Sequence, residues 1–305
     1  MKTTGVTRAS REPLPGGAVV LAVSGRPGPP PLRFETAQGG RLLLRQGPRP
    51  LLLGRKGGAI ACCPDLAMHR LDGYRSPLPP LRSPGTRTPP DWPHRYARWL
   101  EEVEPDTVGG PLCDGRWKLA QRTAFAPGGW TEDFVREWPG GSLELYCGGG
   151  WHGVLPLRRL SPPDSPRVKA YRRRVREGTL APVLLWWVSF LDGWLILDGH
   201  DRAVAALLEG AEPVCVVLER VEGEGVWRRI VEEVTEAHEE RMRTLMSRPA
   251  HPGLARQRAA LERGYAEAVS SLPYEGRHTS TWPIPGGAPA WDDLAARAMF
   301  ECPRD

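Results

Sequence analysis

The sequence contains few cysteines, few lysines and no long apolar run. Its six cysteines, in a chain of 305 residues, include no C-x-x-C pair, so neither a disulfide framework nor a structural zinc site is expected. No run approaches the roughly 18 apolar residues of a membrane-spanning helix. The N-terminal residues lack the charged start and apolar core of a secretory signal. We therefore expect a cytoplasmic protein with no membrane partner.

Because lysine is scarce, arginine carries nearly all of the positive charge. Only four lysines occur among 41 basic residues, and the formal net charge is +5 at pH 7. Arginine offers a planar fork that binds phosphate groups through two hydrogen bonds. A coding bias toward Arg, Gly, Pro and Ala explains the same composition, and both interpretations stay open at this level.

Glycine and proline are abundant, with 35 and 33 residues, which indicates many turns. Short apolar runs between these turns, followed by longer helical patterns, predict an α+β protein. We expect a flexible tail at residues 1–32, a β-rich N-terminal module at 33–150, a central domain with a mixed sheet at 151–220 and a helical C-terminal region at 221–305. The tryptophans of the β-rich module are expected in its core rather than on a ligand-stacking face.

The strongest secondary-structure signal lies in the middle of the chain. Residues 183–190 are apolar and aromatic apart from one serine, which predicts a buried strand. The Asp-Gly pair at 192–193 predicts a tight hairpin turn into a return strand at 194–197. Helical spacing follows over 203–208, and 213–218 predicts one more strand. The predicted order is strand, hairpin, strand, polar loop, helix, strand.

The polar loop Asp198-Gly-His-Asp-Arg202 lies where a helix begins, so unpaired N–H groups and the helix dipole favour an anion there. Gly199 allows the backbone to approach a phosphate, and the fork of Arg202 can bind its oxygens. Asp198 or Asp201 could bind Mg²⁺ or accept a proton, and His200 could act as a general acid or base. Alternatively, Asp198 only caps the helix, Arg202 pairs with a surface acid and His200 is a neutral, hydrogen-bonded loop residue.

A dense basic cluster precedes this stretch. It consists of Arg158, Arg159, Arg167, Lys169, Arg172, Arg173, Arg174 and Arg176. The predicted helix 165–177 carries several of these residues on one side, which suits a polyphosphate or a nucleic-acid backbone. A charged face exposed to solvent is the alternative.

A resemblance to a known family is carried by the loop and its surroundings. Asp198-Gly-His-Asp-Arg-Ala-Val-Ala-Ala, followed by Gly210, resembles the Gly-x-x-Arg box of the superfamily of ParB N-terminal domains and sulfiredoxins. Relatives that phosphorylate free serine carry a similar Asp-Gly-His-His-Arg box. The segment before it is similar to the opening strand (157–160), Pro-rich turn (161–167) and helix of that domain. The resemblance covers roughly residues 153–220 and implies a ParB- and sulfiredoxin-like mixed sheet with helices.

Two departures from the family pattern narrow the implied function. The box contains no cysteine, whereas sulfiredoxins carry a catalytic one, so thiol chemistry is disfavoured. Asp201 stands where partition proteins carry a second arginine, which argues against a CTP-gated DNA clamp. Serine-kinase relatives place a catalytic glutamate near the position of Asp164, and this chain has a shorter acid there.

The resemblance and the loop together imply a nucleotide-dependent phosphotransferase or phosphohydrolase acting on a small hydroxylated substrate, with ATP, ADP or CTP and with Mg²⁺. The candidate catalytic residues are Asp164, Asp198, His200 and Asp201, the candidate phosphate-binding residues are Gly199, Arg202, Arg167 and Arg173, and the candidate metal ligands are Asp198 and Asp201. The alternative is a ParB-like module that binds nucleic acid, through the cluster from Arg158 to Arg176, or a nucleotide, without turnover. A third candidate is an interaction protein that kept the fold and lost the chemistry.

Overall fold

The structure is a computed structural model, and it describes residues 8–26, 28–56, 66–81, 91–102, 109–125, 128–130, 142–145, 153–221, 224–247, 249, 252–275 and 279–300. Within these ranges the strands are β1 (Arg8–Leu14), β2 (Ala18–Ser24), β3 (Leu32–Ala37), β4 (Arg41–Gln46), β5 (Arg49–Lys56), β6 (Leu66–Arg70), β7 (Gly115–Arg122), β8 (Ser142–Leu145), β9 (Val154–Pro156), β10 (Val183–Val188), β11 (Gly193–Asp198), β12 (Cys215–Val221) and β13 (Thr281–Pro283). The helices are α1 (Trp92–Glu102), α2 (Pro166–Arg176), α3 (His200–Leu208), α4 (Glu224–Met246), α5 (Leu254–Glu275) and α6 (Gly287–Arg297). The α+β class predicted from the sequence is confirmed.

The larger sheet has seven strands in the order β1-β2-β7-β12-β10-β11-β9. β10 pairs antiparallel with β11 and parallel with β12, and β11 pairs parallel with β9, so the sheet is mixed. β1, β2 and β7 extend this sheet from the N-terminal half of the chain. The boundary predicted at residue 150 therefore divides strands of one sheet, and the tail predicted at 1–32 instead contributes β1 and β2.

The smaller sheet has six strands in the order β13-β3-β4-β5-β6-β8. β3 to β6 form the antiparallel meander that alternating apolar runs and Gly-Pro turns predicted. β13 comes from the C-terminal end of the chain and pairs parallel with β3. The C-terminal region is consequently not purely helical, because residues 279–300 return to the β-rich part.

The two sheets face each other across the main hydrophobic core. Side chains from both sheets share this core, among them Leu21, Phe34, Leu44, Leu184 and Trp186, which are at most 3% exposed. α3 covers the opposite face of the larger sheet and packs on α2. α6 covers the opposite face of the smaller sheet. This part of the chain is therefore layered as helices, sheet, sheet, helix, since each sheet must bury both of its faces.

The central stretch has the predicted order of elements, with two differences. The opening strand β9 lies at Val154–Pro156 rather than at 157–160. A short 3₁₀ helix, Ser189–Leu191, precedes the turn into β11, and Asp192 alone adopts a left-handed conformation, with φ +45°. The connection is thus longer than the two-residue turn that the Asp-Gly pair predicted.

Residues 221–278 form a second unit, separate from the unit made by 1–220 and 279–305. α4 and α5 pack on each other, and the hydroxyls of Thr235 and Tyr265 lie 3.0 Å apart. The predicted amphipathic helix at 226–248 and the following helix at 253–272 are confirmed with small shifts of their ends. Among the described residues, no helix combines the length and the apolar character needed to cross a membrane.

Candidate functional site

The polar loop between β11 and α3 is built around a glycine with a left-handed backbone. Gly199 has φ +96° and is the N-cap of α3. A Cβ at this position would lie 2.7 Å from Nη2 of Arg202, so both the backbone angle and the available space require glycine. Asp198 does not cap the helix, because its carboxylate accepts from Arg202. No side chain of the described residues caps α3, which leaves the N–H groups of its first turn to other acceptors.

Arg202 lies inside the protein, with 2% of its surface exposed. Its Nη2 donates to Oδ2 of Asp198 at 2.7 Å, to the carbonyl oxygen of Pro182 at 3.0 Å and to the hydroxyl of Tyr96 at 3.3 Å. Burial alone would lower the pKa of Arg202, but Tyr96 and Asp198 raise it above its ordinary value. Arg202 is therefore a charged residue fixed beneath the loop. It pairs with an acid, as in the alternative, but that acid is Asp198 of the loop rather than a surface residue, and its guanidinium does not face outward as the predicted phosphate ligand would.

His200 is also buried, with 3% of its surface exposed. Its Nε2 accepts a hydrogen bond from the backbone N–H of Leu157 at 3.1 Å, and its ring centroid lies 5.9 Å from that of Tyr74. Burial lowers the pKa of His200 well below its usual value, and the charges of Arg158 and Arg70 lower it further. This environment describes a neutral, hydrogen-bonded histidine and disfavours its role as a general acid or base.

Asp201 is buried and joins two arginines, with 4% of its surface exposed. Its Oδ1 accepts from Nη2 of Arg158 and from the hydroxyl of Ser161, both at 2.8 Å. Its Oδ2 lies 3.4 Å from Nε of Arg167, whose side chain is 67% exposed. Arg158 follows β9 and Arg167 belongs to α2, so two separate elements converge on the first turn of α3. The sequence predicted Arg167 in the site but gave Arg158 only a place in the basic cluster.

The two aspartates of the loop do not fit a bound Mg²⁺. Asp198 is paired with Arg202, and Asp201 is paired with Arg158 and Arg167. A hard cation needs several oxygen ligands that are not already committed to guanidinium groups. Within the ranges that the structure describes, no group of three His, Cys, Asp or Glu side chains lies close enough to hold a metal ion.

In the second half of the basic cluster, two acids pair with three arginines, so part of the positive charge is not balanced. Arg172 and Arg176 both donate to Glu209 at the end of α3. Arg173 donates to Glu177 at 2.7 Å, four residues further along the chain. Arg173, a predicted phosphate ligand, is thus engaged at the C-terminal end of α2, whereas Arg167 lies at its N-terminal end. Among the basic residues of α2 in the described contacts, Arg167 is the one that reaches the loop.

Asp164, predicted from the resemblance as a further acid, lies on the exposed turn before α2. Ser165 is the N-cap of that helix and accepts from the N–H of Val168. Among the described residues, no hydrogen bond or ion pair joins Asp164 to the polar loop. The structure therefore brings Asp198, Gly199, His200, Asp201, Arg202 and Arg167 together and leaves Asp164 and Arg173 outside the group.

Two tyrosines from the N-terminal half contact the backbone next to the loop. No pattern in the sequence predicted either of them as part of the site. The hydroxyl of Tyr74 donates to the carbonyl of Leu197 at 2.6 Å, and that of Tyr96 donates to the carbonyl of Pro182 at 2.5 Å. Both hydroxyls are buried, and burial raises their pKa above the ordinary value. Both tyrosines are far from the loop in the chain, and only tertiary packing brings them next to β11 and to Pro182.

Of the cysteines that the structure describes, Cys215 lies near Arg202. Cys215 begins β12, is fully buried and donates to the carbonyl of Pro213. Burial raises the pKa of its thiol well above the usual value, so the thiolate needed for nucleophilic attack is not formed at neutral pH.

No protein-family model, curated protein or solved structure matches the chain. The resemblance to the ParB and sulfiredoxin superfamily is therefore carried by the box and the order of elements alone, and it stays a hypothesis. The arguments about function below rest on the geometry around α3.

Proposed function

We propose that this protein binds the phosphate group of a small ligand, such as a nucleotide, at the first turn of α3 and does not turn it over. The observation that carries the proposal is the convergence of Arg158 and Arg167 on that turn. The single carboxylate of Asp201 balances only one of the two guanidinium charges. An anion bound beside them would balance the second.

The backbone adds a second attraction for an anion. The N–H groups of His200 and Asp201 have no acceptor among the described residues, because α3 begins at a glycine that offers no side-chain oxygen. Unpaired N–H groups and the positive end of the helix dipole together favour negative charge at this position. Gly199 has no side chain to keep a ligand oxygen away from the backbone.

Arg167 supplies the side-chain donors that a ligand could reach. Its Nε lies near Asp201 and Tyr171, while its two terminal nitrogens make no hydrogen bond to the described residues. The arginine also stacks on the ring of Tyr171, with 5.7 Å from its central carbon to the ring centroid. This contact limits the freedom of a long side chain, so less entropy is lost when it binds a phosphate.

Binding is favoured over the phosphotransferase function because the candidate bases are committed. His200 accepts a backbone N–H, and Asp198 and Asp201 each pair with arginine. The oxygens of both carboxylates already accept hydrogen bonds or ion pairs from these arginines and, in Asp201, from Ser161, so they are not open to a substrate hydroxyl. A small ligand is favoured over nucleic acid because Arg158 and Arg167 of the basic cluster converge on the uncapped start of α3.

Thermal-shift measurements with inorganic phosphate and AMP test the proposal. Arg167→Gln should weaken binding about ten- to a hundredfold, because one charge-assisted contact contributes roughly 1.5–3 kcal/mol. Arg173→Gln is the matched control on the same helix and should leave binding unchanged. A thermal shift that survives Arg167→Gln and Arg158→Gln together would assign the ligand to another part of the chain.

A further inference from the structure

We infer that the helical hairpin of α4 and α5 pairs with the same hairpin of a second copy of this chain, so that two copies share a four-helix bundle. The inference goes beyond the proposed function and does not depend on a ligand at α3. It is drawn from the small core of the hairpin, from one face whose central residues are apolar and from the size of that face.

The hairpin by itself buries few apolar side chains. α4 and α5 contain 23 and 22 residues, yet among the described residues of this unit Leu245, at 6% exposure, is the one buried hydrophobic side chain. Val231 and Met246 are 37% and 55% exposed. Helices in proteins gain most of their stability from the packing of an apolar face. Two helices with so small a core therefore leave apolar surface that further helices would bury.

The contact between the helices fixes the side on which each of them faces the other. The hydroxyls of Thr235 and Tyr265 lie 3.0 Å apart, and the ring of His238 stacks on that of Tyr265 with 4.4 Å between the centroids. The loop between α4 and α5 is short, so the helices run antiparallel. With about 100° per residue, the positions beside this contact fall on one of two broad faces of the hairpin.

One broad face has apolar and small residues at its centre. On α4 it contains Ile230, Val234 and Ala237, and on α5 it contains Ala260 and Gly264. Ile230 and Val234 are half-buried, and the two alanines and the glycine are exposed. A Cβ added at Gly264 would meet nothing within 4 Å, so the space above this part of α5 is open. The face is therefore a ridge of branched side chains beside a shallow groove.

The opposite broad face carries acids. Glu232, Glu236 and Glu239 lie on α4 and Ala266 lies on α5, and all four residues are exposed. The carboxylates of two such faces would repel each other, because like charges that approach each other raise the energy. Pairing of two hairpins is therefore favoured through the apolar face.

A second copy fits the apolar face because the face is complementary to itself. A two-fold axis parallel to the helices places the ridge on α4 of each copy over the groove on α5 of the other. Each helix then has two antiparallel neighbours, as in an up-down-up-down bundle.

The size of the face also agrees with a dimer. A helix as long as α5 extends about 33 Å, and two packed helices offer a face about 20 Å wide, so the paired faces bury roughly 1,300 Å² in total. Stable and specific interfaces bury about 1,200–2,000 Å².

Sedimentation equilibrium of the full chain at low to high micromolar concentrations tests the inference. The wild type should be a dimer. Gly264→Lys introduces a charged side chain at the open centre of the apolar face and should raise the dissociation constant at least about a hundredfold, because an unpaired charge is costly to bury. Ala266→Lys makes the same change in charge on the opposite face of the same helix and should leave the dimer intact.

Both variants should fold, because both positions are exposed and lysine favours a helix more than glycine does. Far-UV circular dichroism checks this, and Ala260→Lys, on the same face, takes the place of Gly264→Lys if that variant does not fold. The Tm should rise with protein concentration in the wild type and should not in Gly264→Lys. A monomeric wild type would overturn the inference. A dimer that tolerates Gly264→Lys as well as Ala266→Lys would overturn it too, since the copies would then meet elsewhere.

Discussion

The guanidinium of Arg202 donates to the carboxylate of Asp198, four residues earlier, across 2.7 Å, at the turn where β11 passes into α3. The same Nη2 also reaches the carbonyl of Pro182 and the hydroxyl of Tyr96. One arginine thus joins the start of α3 to the chain before β10 and to α1 in the N-terminal half. Arg202 therefore holds the loop from its buried side, and Arg158 and Arg167 contact it from the outer side.

Loss of Arg202 should therefore reduce stability strongly. Arg202→Met leaves Asp198 without its partner at a mostly buried position, and breaking such a pair costs about 3–5 kcal/mol. Arg173→Met removes an exposed ion pair and should change the free energy of unfolding by less than about 1 kcal/mol. Urea unfolding of both variants checks this. Equal, small effects would mean that Arg202 contributes little to the fold.

Gly199→Ala should destabilise the protein by about 2–4 kcal/mol, because alanine would occupy a left-handed backbone and press on the guanidinium of Arg202. Gly210, at the other end of α3, also has a positive φ, of +71°, but a Cβ there would meet nothing within 4 Å. Gly210→Ala should therefore cost only about 1 kcal/mol. The two variants are compared by urea unfolding. If both have the same stability, the guanidinium of Arg202 does not lie as close to position 199 as the structure shows.

The buried histidine predicts a loss of stability in mild acid. The pKa of His200 in the folded protein is lowered, so the unfolded chain binds the proton more readily once the pH falls below the unfolded value of about 6.5. The free energy of unfolding should then fall by up to about 1.4 kcal/mol per pH unit as the pH decreases toward the folded pKa, and it should be independent of this group above pH 7.

His200→Gln keeps a hydrogen-bond acceptor for Leu157 and cannot be protonated, so it should flatten that pH dependence. His94→Gln, on the half-exposed part of α1, serves as the control and should preserve it. Unfolding curves recorded between pH 5 and pH 8 decide the matter. A slope that persists unchanged in His200→Gln would assign it to another group.

Tyr74→Phe should cost about 1–2 kcal/mol, because the carbonyl of Leu197 would lose its donor in a buried place. Tyr171→Phe removes a hydroxyl from the surface of α2 and should cost less than about 0.5 kcal/mol. Equilibrium unfolding in urea measures both. If the two substitutions have the same effect, the contact between the N-terminal half and the loop does not contribute to stability.

Local patterns in the sequence were sufficient for the elements of the central stretch. The apolar run of β10 predicted a strand, and the spacing of apolar residues in α3 predicted a helix. Each pattern favoured a single type of element. The connection before β11 was less predictable, because Ser189–Leu191 could continue the strand or turn. β1 was missed because its residues are mostly polar and exposed, as edge strands tend to be.

The candidate site could be predicted only in part, because its chemistry depends on partners distant in the chain. The box identified the residues of the loop, but it gave Gly199 only the role of letting the backbone approach a phosphate, and the left-handed backbone at the start of α3 is seen only in the structure. The sequence could not reveal that Asp201 pairs with Arg158, or that Arg202 points inward to Tyr96. Such pairings follow from tertiary packing, which no local period encodes.

The most direct test of the account is an NMR titration of the isotope-labelled full chain with inorganic phosphate. The account predicts that the backbone amides of residues 199–203 move progressively and saturably, that the side-chain Nε–H signal of Arg167 moves with them, and that the amides of 173–177 stay in place. Amide shifts confined to other parts of the chain, or the absence of any shift at millimolar phosphate, would contradict the claim that the first turn of α3 holds a phosphate.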